Sequence, residues 1–194
     1  MLKIRVPTEV NRSHQVHSGY FTFSHFPEMA HGRATLSYDN SLLTIQRAIL
    51  RALGKLNCRR VKTLVSIADI AGSFEGEMSF EVGVAERDSF NYLDDEEEEK
   101  ALHMLDSIGP CSTIDFFMIV RYEVRDGRRH SIRSDSYAIR FTFLEHHVDI
   151  EIFHEKGIRR LALDELIMIL AESIEREFDI APHKALRIEK IRTA

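Results

Sequence analysis

Residues 139–154 read IRFTFLEHHVDIEIFH, and their alternating pattern is the strongest indication of the fold. Apolar side chains occupy every second position on each side of a short polar stretch, which is typical of two β-strands that bury one face. An even-numbered loop pairs Phe143 with Val148 and aligns the two apolar rows. The same register places Arg140 opposite Glu151, an opposite-charge pair on the polar face. The stretch therefore predicts an antiparallel hairpin with one apolar and one polar face.

A second hairpin is predicted directly before this one. Hydrophobic residues again alternate over residues 116–124, and a glycine-containing turn follows. We predict a three-residue loop, residues 125–127, with its glycine at positive φ, because a two-residue turn would set Arg129 and Arg133 against valines. The three-residue loop places both arginines on the polar face beside Arg121.

A helix is expected to follow the strands. A turn at Lys156 and Gly157 should bring the segment around Leu161 alongside the strand before it, and Asp164 then caps a helix over residues 165–178. This helix is apolar nearly all round at its centre, which indicates cover on both sides by a sheet, another helix or a partner subunit.

The first half of the chain predicts two helices and several strands. Residues 41–56 place apolar side chains on one helical face, and Asp39, Asn40 or Ser41 is expected to cap this helix. The acidic run at residues 94–99 favours a second helix start, and Gly109 ends that helix. Residues 19–26 predict an aromatic strand.

The fold class predicted from these elements is α+β, with a mainly antiparallel sheet packed against two or three helices. A C-terminal β-meander precedes the last helix. We divide the chain into an N-terminal α/β half, residues 1–93, and a C-terminal half, residues 94–194, which together could also form one continuous domain.

Composition excludes several classes of protein. The 194 residues carry a net charge of −5, so the chain as a whole has no basic field that would attract nucleic acid. Two cysteines are too few for a disulfide scaffold or a cysteine zinc site. The start has no signal-like apolar region, and the apolar runs are short, which predicts a soluble cytoplasmic protein. Few amide and many charged side chains suggest a thermophilic source.

The common catalytic motifs are absent from the sequence. It contains no phosphate-binding P-loop, no G-x-G-x-x-G, no H-E-x-x-H, no C-x-x-C and no G-x-S-x-G. We therefore predict no cofactor and favour a binding protein over an enzyme.

The most unusual predicted surface is an arginine-bearing sheet face, from which Phe117 and Phe153 also project. Guanidinium groups donate paired hydrogen bonds to phosphate, and aromatic rings stack on bases. We therefore predict a homo-oligomer, not bound to a membrane, that engages single-stranded nucleic acid or another phosphate-bearing polyanion. The predicted ligand-binding cations are Arg121, Arg125, Arg129, Arg133 and Arg140 on the sheet, and Arg47, Arg51 and Lys55 on the first helix.

The alternative function is that of a metal-dependent hydrolase using His147, Asp149 and Glu151. These side chains point the same way from one strand and suit zinc or manganese, but they span about 13 Å. Arg140 and Arg160 are expected beside Glu151, which favours a salt-bridged face without metal. A purely structural assembly subunit is the third hypothesis.

Overall fold

The computed structural model describes residues 20–57, 59–66, 73–126, 129–178 and 186–193. Within these ranges the helices are α1 (Leu42–Leu56), α2 (Asp95–Ile108) and α3 (Leu163–Glu175). The strands are β1 (Gly32–Tyr38), β2 (Arg60–Ser66), β3 (Ser73–Glu86), β4 (Ser89–Tyr92), β5 (Thr113–Asp126), β6 (Arg129–Phe143), β7 (His147–Lys156) and β8 (Leu186–Thr193).

All of these strands belong to one antiparallel sheet. Its order is β2-β3-β5-β6-β7-β1-β8, and β4 pairs with the far end of β3. Strands from both sides of residue 93 adjoin, because β5 pairs with β3 and β1 lies between β7 and β8. The predicted α+β fold is confirmed, whereas the division of the chain at residue 93 stays a prediction.

The helices begin and end where local chemistry favours it. The Ser41 hydroxyl accepts the Thr44 N–H at the start of α1, so Ser41 is the cap among the three candidate residues 39–41. Asp94 caps α2 in the same way, four acidic residues fill its first turn, and Gly109 adopts a positive φ at its end.

One face of the sheet, the inner face, packs against the helices. Phe116, Met118 and Val120 project from β5 onto this face and are fully buried. They share one core with residues such as Ile49 of α1 and Leu166 of α3. The opposite face, the outer face, carries most of the candidate site residues.

The predicted hairpin of β6 and β7 is confirmed residue by residue. Phe143 pairs with Val148, and Arg140 lies opposite Glu151. The inner row of this hairpin also pairs Ile139 with Ile152, as predicted. Register was predictable here because only one alignment buries both apolar rows.

The predicted register between β5 and β6 is wrong. Asp126 pairs with Arg129, so only two residues lie between the strands, and Arg133 falls opposite Tyr122. Arg129 and Arg133 therefore occupy inner-face positions, whereas the prediction placed them on the outer face beside Arg121. The physical reason lies at the other end of the hairpin, where this register matches deeply buried apolar rows. The buried pairs are Met118 with Tyr137 and Phe116 with Ile139.

The predicted boundaries of the last helix are also wrong. α3 begins after Ala162, which makes no side-chain capping bond, and ends at Glu175. No strand follows β7 in the described chain before α3; the edge of β7 pairs instead with β1, where Ala34 lies opposite Ile150. The Leu163 side chain packs against Gly32 of β1, so it belongs to the first turn of the helix.

The aromatic segment predicted as a strand over residues 19–26 is irregular in its described part. It makes only isolated bridges, from Tyr20 to Glu86 and from Phe23 to Arg87. Phe21 has a φ of 64° and accepts the backbone N–H of Asp115. This segment therefore attaches to the sheet through single contacts instead of a strand ladder.

Candidate functional site

Arg140 is committed to a buried ion pair on the outer face. Its Nε and Nη2 donate to the two Asp115 oxygens at 2.7 Å each, and the Asp115 side chain is fully buried. Asp115 also accepts the Phe23 N–H at 2.8 Å, while the Phe26 ring lies 4.0 Å from the Arg140 guanidinium carbon. Asp115 raises the pKa of Arg140 through these hydrogen bonds. Arg140 therefore anchors the aromatic N-terminal segment and offers no free fork to a phosphate.

Arg121 is likewise paired, but at an exposed position. Its Nε and Nη2 donate to the two carboxylate oxygens of Glu81 at 2.6 and 2.9 Å. The hydrogen bond from Arg121 lowers the pKa of Glu81. A ligand phosphate would have to displace this carboxylate before binding Arg121.

The predicted aromatic platform is engaged within the protein. The Phe117 ring lies 5.5 Å from the Phe90 ring, which in turn lies 4.7 Å from the Phe23 ring. Phe153 stacks on His31 at 4.6 Å between ring centroids. Both predicted stacking residues are thus partly covered by neighbouring rings.

The basic stripe of α1 contacts acidic residues of α2 and of the segment that follows α3. Arg47 donates to Asp106 of α2 through Nε at 2.9 Å, and Lys55 pairs with Glu177 at 2.6 Å. Burial raises the pKa of Glu98, and the charges of Lys55 and of the exposed Arg51 oppose this shift. Two of these three cations are therefore already paired with acidic side chains, although all three remain accessible to solvent.

Of the remaining predicted arginines, Arg133 does not join the outer-face group. Arg133 is exposed at an inner-face position near the start of β6. The side chains of Arg125 and Arg129 lie outside the described part of the molecule.

The carboxylates of the predicted metal alternative already have partners. Asp149 accepts the Thr35 hydroxyl at 2.7 Å, and Glu151 pairs with Arg33 at 3.0 Å. His147 is exposed at the start of the strand. Among the described residues, no group of three or more histidine, cysteine, aspartate or glutamate side chains could hold a metal ion.

An outer-face cleft was missed by the sequence analysis because β8 was not predicted. The cleft has a volume of 470 Å³ and lies across β7, β1 and β8. Lys190 and Arg192 line it from β8, Arg33 and Thr35 from β1, and Glu151 from β7. Lys190 and Arg192 are exposed and make no ion pair with the described residues. Apolar and polar residues alternate in the β8 sequence LRIEKIRT, which could have indicated a strand, but two consecutive polar residues, Glu189 and Lys190, interrupt the alternation.

Arg160 lies far from its predicted position on the outer face. Asp135 is buried at an inner-face position, where it accepts the backbone N–H groups of Ile158, Arg159 and Arg160 at 2.9, 3.2 and 2.7 Å. The Arg160 side chain is 6% exposed and reaches Asp135 at 3.4 Å. A Cβ at Gly157 would come within 2.0 Å of Asp135, so only glycine fits there. The cluster ties the loop after β7 to the sheet.

Two tyrosines and a histidine extend this cluster. Burial raises the pKa of Tyr137 to about 12, and the Asp135 carboxylate acts in the same direction. The Tyr122 hydroxyl accepts the Leu161 N–H at 3.1 Å, and burial raises the pKa of Tyr122 as well. At neutral pH both phenols therefore stay protonated and cannot act as bases. Of the buried side-chain polar atoms within the described ranges, those without a hydrogen-bond partner are Tyr137 Oη, His154 Nε2, Arg160 Nε and Ser173 Oγ.

Cys111 is not a candidate nucleophile. Burial raises the pKa of its thiol to about 11, so almost no thiolate exists at neutral pH. Its backbone N–H and carbonyl bond to the buried Gln46 side chain, which is a structural role.

His154 should make stability dependent on pH. Burial lowers its pKa below the ordinary 6.5, Arg159 and His31 act in the same direction, and Asp135 opposes them. The folded state therefore binds this proton less readily than the unfolded state. Its contribution is present above the unfolded pKa and is lost as pH falls toward the folded pKa. Replacing His154 with glutamine should flatten the decline in unfolding free energy below pH 6.5, measured by urea unfolding across pH.

The exposed His147, on the same strand, supplies the control. His147→Gln should keep the wild-type dependence of unfolding free energy on pH. An unchanged dependence in His154→Gln would contradict the assignment to His154.

The described helices include none that combines the length and apolar character needed to cross a bilayer. No family model, curated protein or solved structure matches the chain.

Proposed function

We propose that the protein binds a polyanion, foremost single-stranded nucleic acid, through a basic strip on the outer face of β1 and β8. The strip consists of Arg33, Arg187, Lys190 and Arg192. Their register places all four on the outer face, because Arg33 pairs with Arg192, Thr35 with Lys190 and Ser37 with Arg187.

The observation that carries this proposal is that Lys190 and Arg192 of β8 form no ion pair with a described carboxylate. Arg121 and Arg140 each give both guanidinium bonds to a carboxylate. Lys190 and Arg192 have no such partner among the described residues, and they line the 470 Å³ cleft. A phosphate could bind Lys190 and Arg192 without first displacing a carboxylate. Its attraction to these two cations is therefore not reduced by the cost of breaking an ion pair.

The acids of the cleft are partly neutralised. Arg33 pairs with Glu151, and the Thr35 hydroxyl donates to Asp149. The local excess of positive charge is small, and the chain as a whole is acidic at −5. We therefore expect modest affinity that depends strongly on salt, because counterions leave the nucleic acid on binding.

Replacing Lys190 and Arg192 together with alanine should weaken binding of labelled single-stranded DNA or RNA at least about tenfold at low salt. Fluorescence polarisation measures the affinity. Two lost phosphate contacts should also reduce the slope of log affinity against log salt by about 1.4, at roughly 0.7 per contact for single strands.

Arg121→Ala is the matched control, because Arg121 is an exposed outer-face arginine that is already paired with Glu81. It should leave affinity and salt slope close to the wild-type values. Absence of a salt-sensitive signal in the wild type, or equal losses in both variants, would refute the proposal.

A further inference from the structure

β8 is the last strand of the sheet within the part of the chain that the structure describes. It pairs with β1 on one side, and no other described strand lies on its second side. Its exposed backbone can therefore accept another strand, and pairing of two such edges extends a sheet across an interface.

A bulge gives β8 an unusual order of faces. The register shifts between Thr35 and Leu36, so Lys190 pairs with Thr35 while Ile188 pairs with Leu36. Glu189 is the extra residue of the bulge, and its carboxylate accepts the Ser37 hydroxyl on the outer face at 2.7 Å.

The resulting order of faces is symmetric about the middle of the strand. From residue 186 to 193 it runs inner, outer, inner, outer, outer, inner, outer, inner. In an antiparallel pair, directly opposed residues must lie on the same face. Two copies of β8 satisfy this rule along the whole strand when Glu189 lies opposite Lys190 of the partner subunit. A shift of one residue would set inner positions against outer ones.

The opposed side chains are complementary at the centre of this pairing. Ile188, which is 37% exposed, meets Ile191 of the partner subunit, and Glu189 meets Lys190 of the partner subunit. The two-fold axis makes each of these contacts occur twice in the dimer. Arg187 opposes Arg192 of the partner subunit at the ends, where solvent screens the repulsion.

We infer that two copies of this chain pair antiparallel through β8 about a two-fold axis and form one continuous sheet. The partner is a second copy because the face order, the isoleucine contacts and the central contacts between Glu189 and Lys190 are self-complementary. The pairing also brings the two basic strips side by side. The inference does not rest on polyanion binding, which is measured separately.

Light scattering after gel filtration tests the pairing at tens of micromolar full-length protein. The wild type should have twice the 22.5 kDa chain mass. Ile188→Asp places an unpaired carboxylate in the interface and should give the mass of one chain. Ile158→Asp changes an isoleucine that is 54% exposed in a loop, and it should keep the wild-type mass.

Exchange of the central charges distinguishes this pairing from other interfaces. Glu189→Lys and Lys190→Glu should each weaken the dimer, measured as a higher dissociation constant in sedimentation, because like charges then face each other across the axis. The double variant E189K/K190E restores opposite charges and should recover the dimer.

A monomeric wild type overturns the inference. So does a dimer whose mass is unaffected by Ile188→Asp, or a double variant that recovers nothing. A dimeric wild type that shows no salt-sensitive binding of nucleic acid would count against the proposed function alone.

Discussion

Replacing Asp135 with asparagine should lower the free energy of unfolding by about 3–5 kcal/mol, the usual cost of removing one partner from a buried charged pair. Arg160 would keep its charge at 6% side-chain exposure without a counterion. The asparagine amide group would also face backbone N–H donors that now share the carboxylate, among them those of Ile158 and Arg159. Urea unfolding followed by circular dichroism measures the loss.

Asp164→Asn is the matched control for this change. Asp164 is exposed in the first turn of α3, where an acidic side chain contributes at most about 1 kcal/mol. A loss at Asp135 no larger than that of the control would show that the loop after β7 is held by other contacts.

The parts of the fold that were predictable are those with strict periodicity. Pairing of Phe143 with Val148 followed from apolar alternation, and the start of α1 followed from Ser41 and the helical spacing after it. Both depend on residues that are close in sequence. Periodicity could not reveal that β1 lies between β7 and β8, because that arrangement joins segments more than 100 positions apart in sequence, as in the pair Thr35 and Asp149.

The structure arranges the predicted site residues differently from the sequence prediction, for two physical reasons. The observed register of the β5–β6 hairpin differs from the predicted one by an odd number of residues. Arg133 therefore lies on the other face, because strand faces alternate with a period of two. Arg121 is paired with Glu81 of β3, and Arg140 is paired with Asp115, which lies on the outer face of β5 like Arg121. Charge alternation along a strand shows which residues share a face but not which carboxylate each arginine contacts.

The outer-face anchor at Asp115 should be nearly as important for stability as Asp135. Asp115→Ala removes both acceptors of Arg140 and the acceptor of the Phe23 N–H. Because the Arg140 side chain is 27% exposed, we expect a loss at the lower end for a buried pair, about 3 kcal/mol. The segment that Phe23 attaches to the sheet should also become more accessible to protease, which limited proteolysis measures.

Two further variants separate a specific anchor from a general charge effect. Glu81→Ala removes the partner of the exposed Arg121 on the same face and should cost less than about 1 kcal/mol. Replacing Asp115 and Arg140 together with leucine and methionine removes both charges from the buried pair, so most of the lost stability should return. If the double variant is as unstable as Asp115→Ala, the loss does not come from the unpaired arginine. The hydrogen bond from the Phe23 backbone N–H to the Asp115 carboxylate would then be the contact that holds the aromatic segment on the sheet.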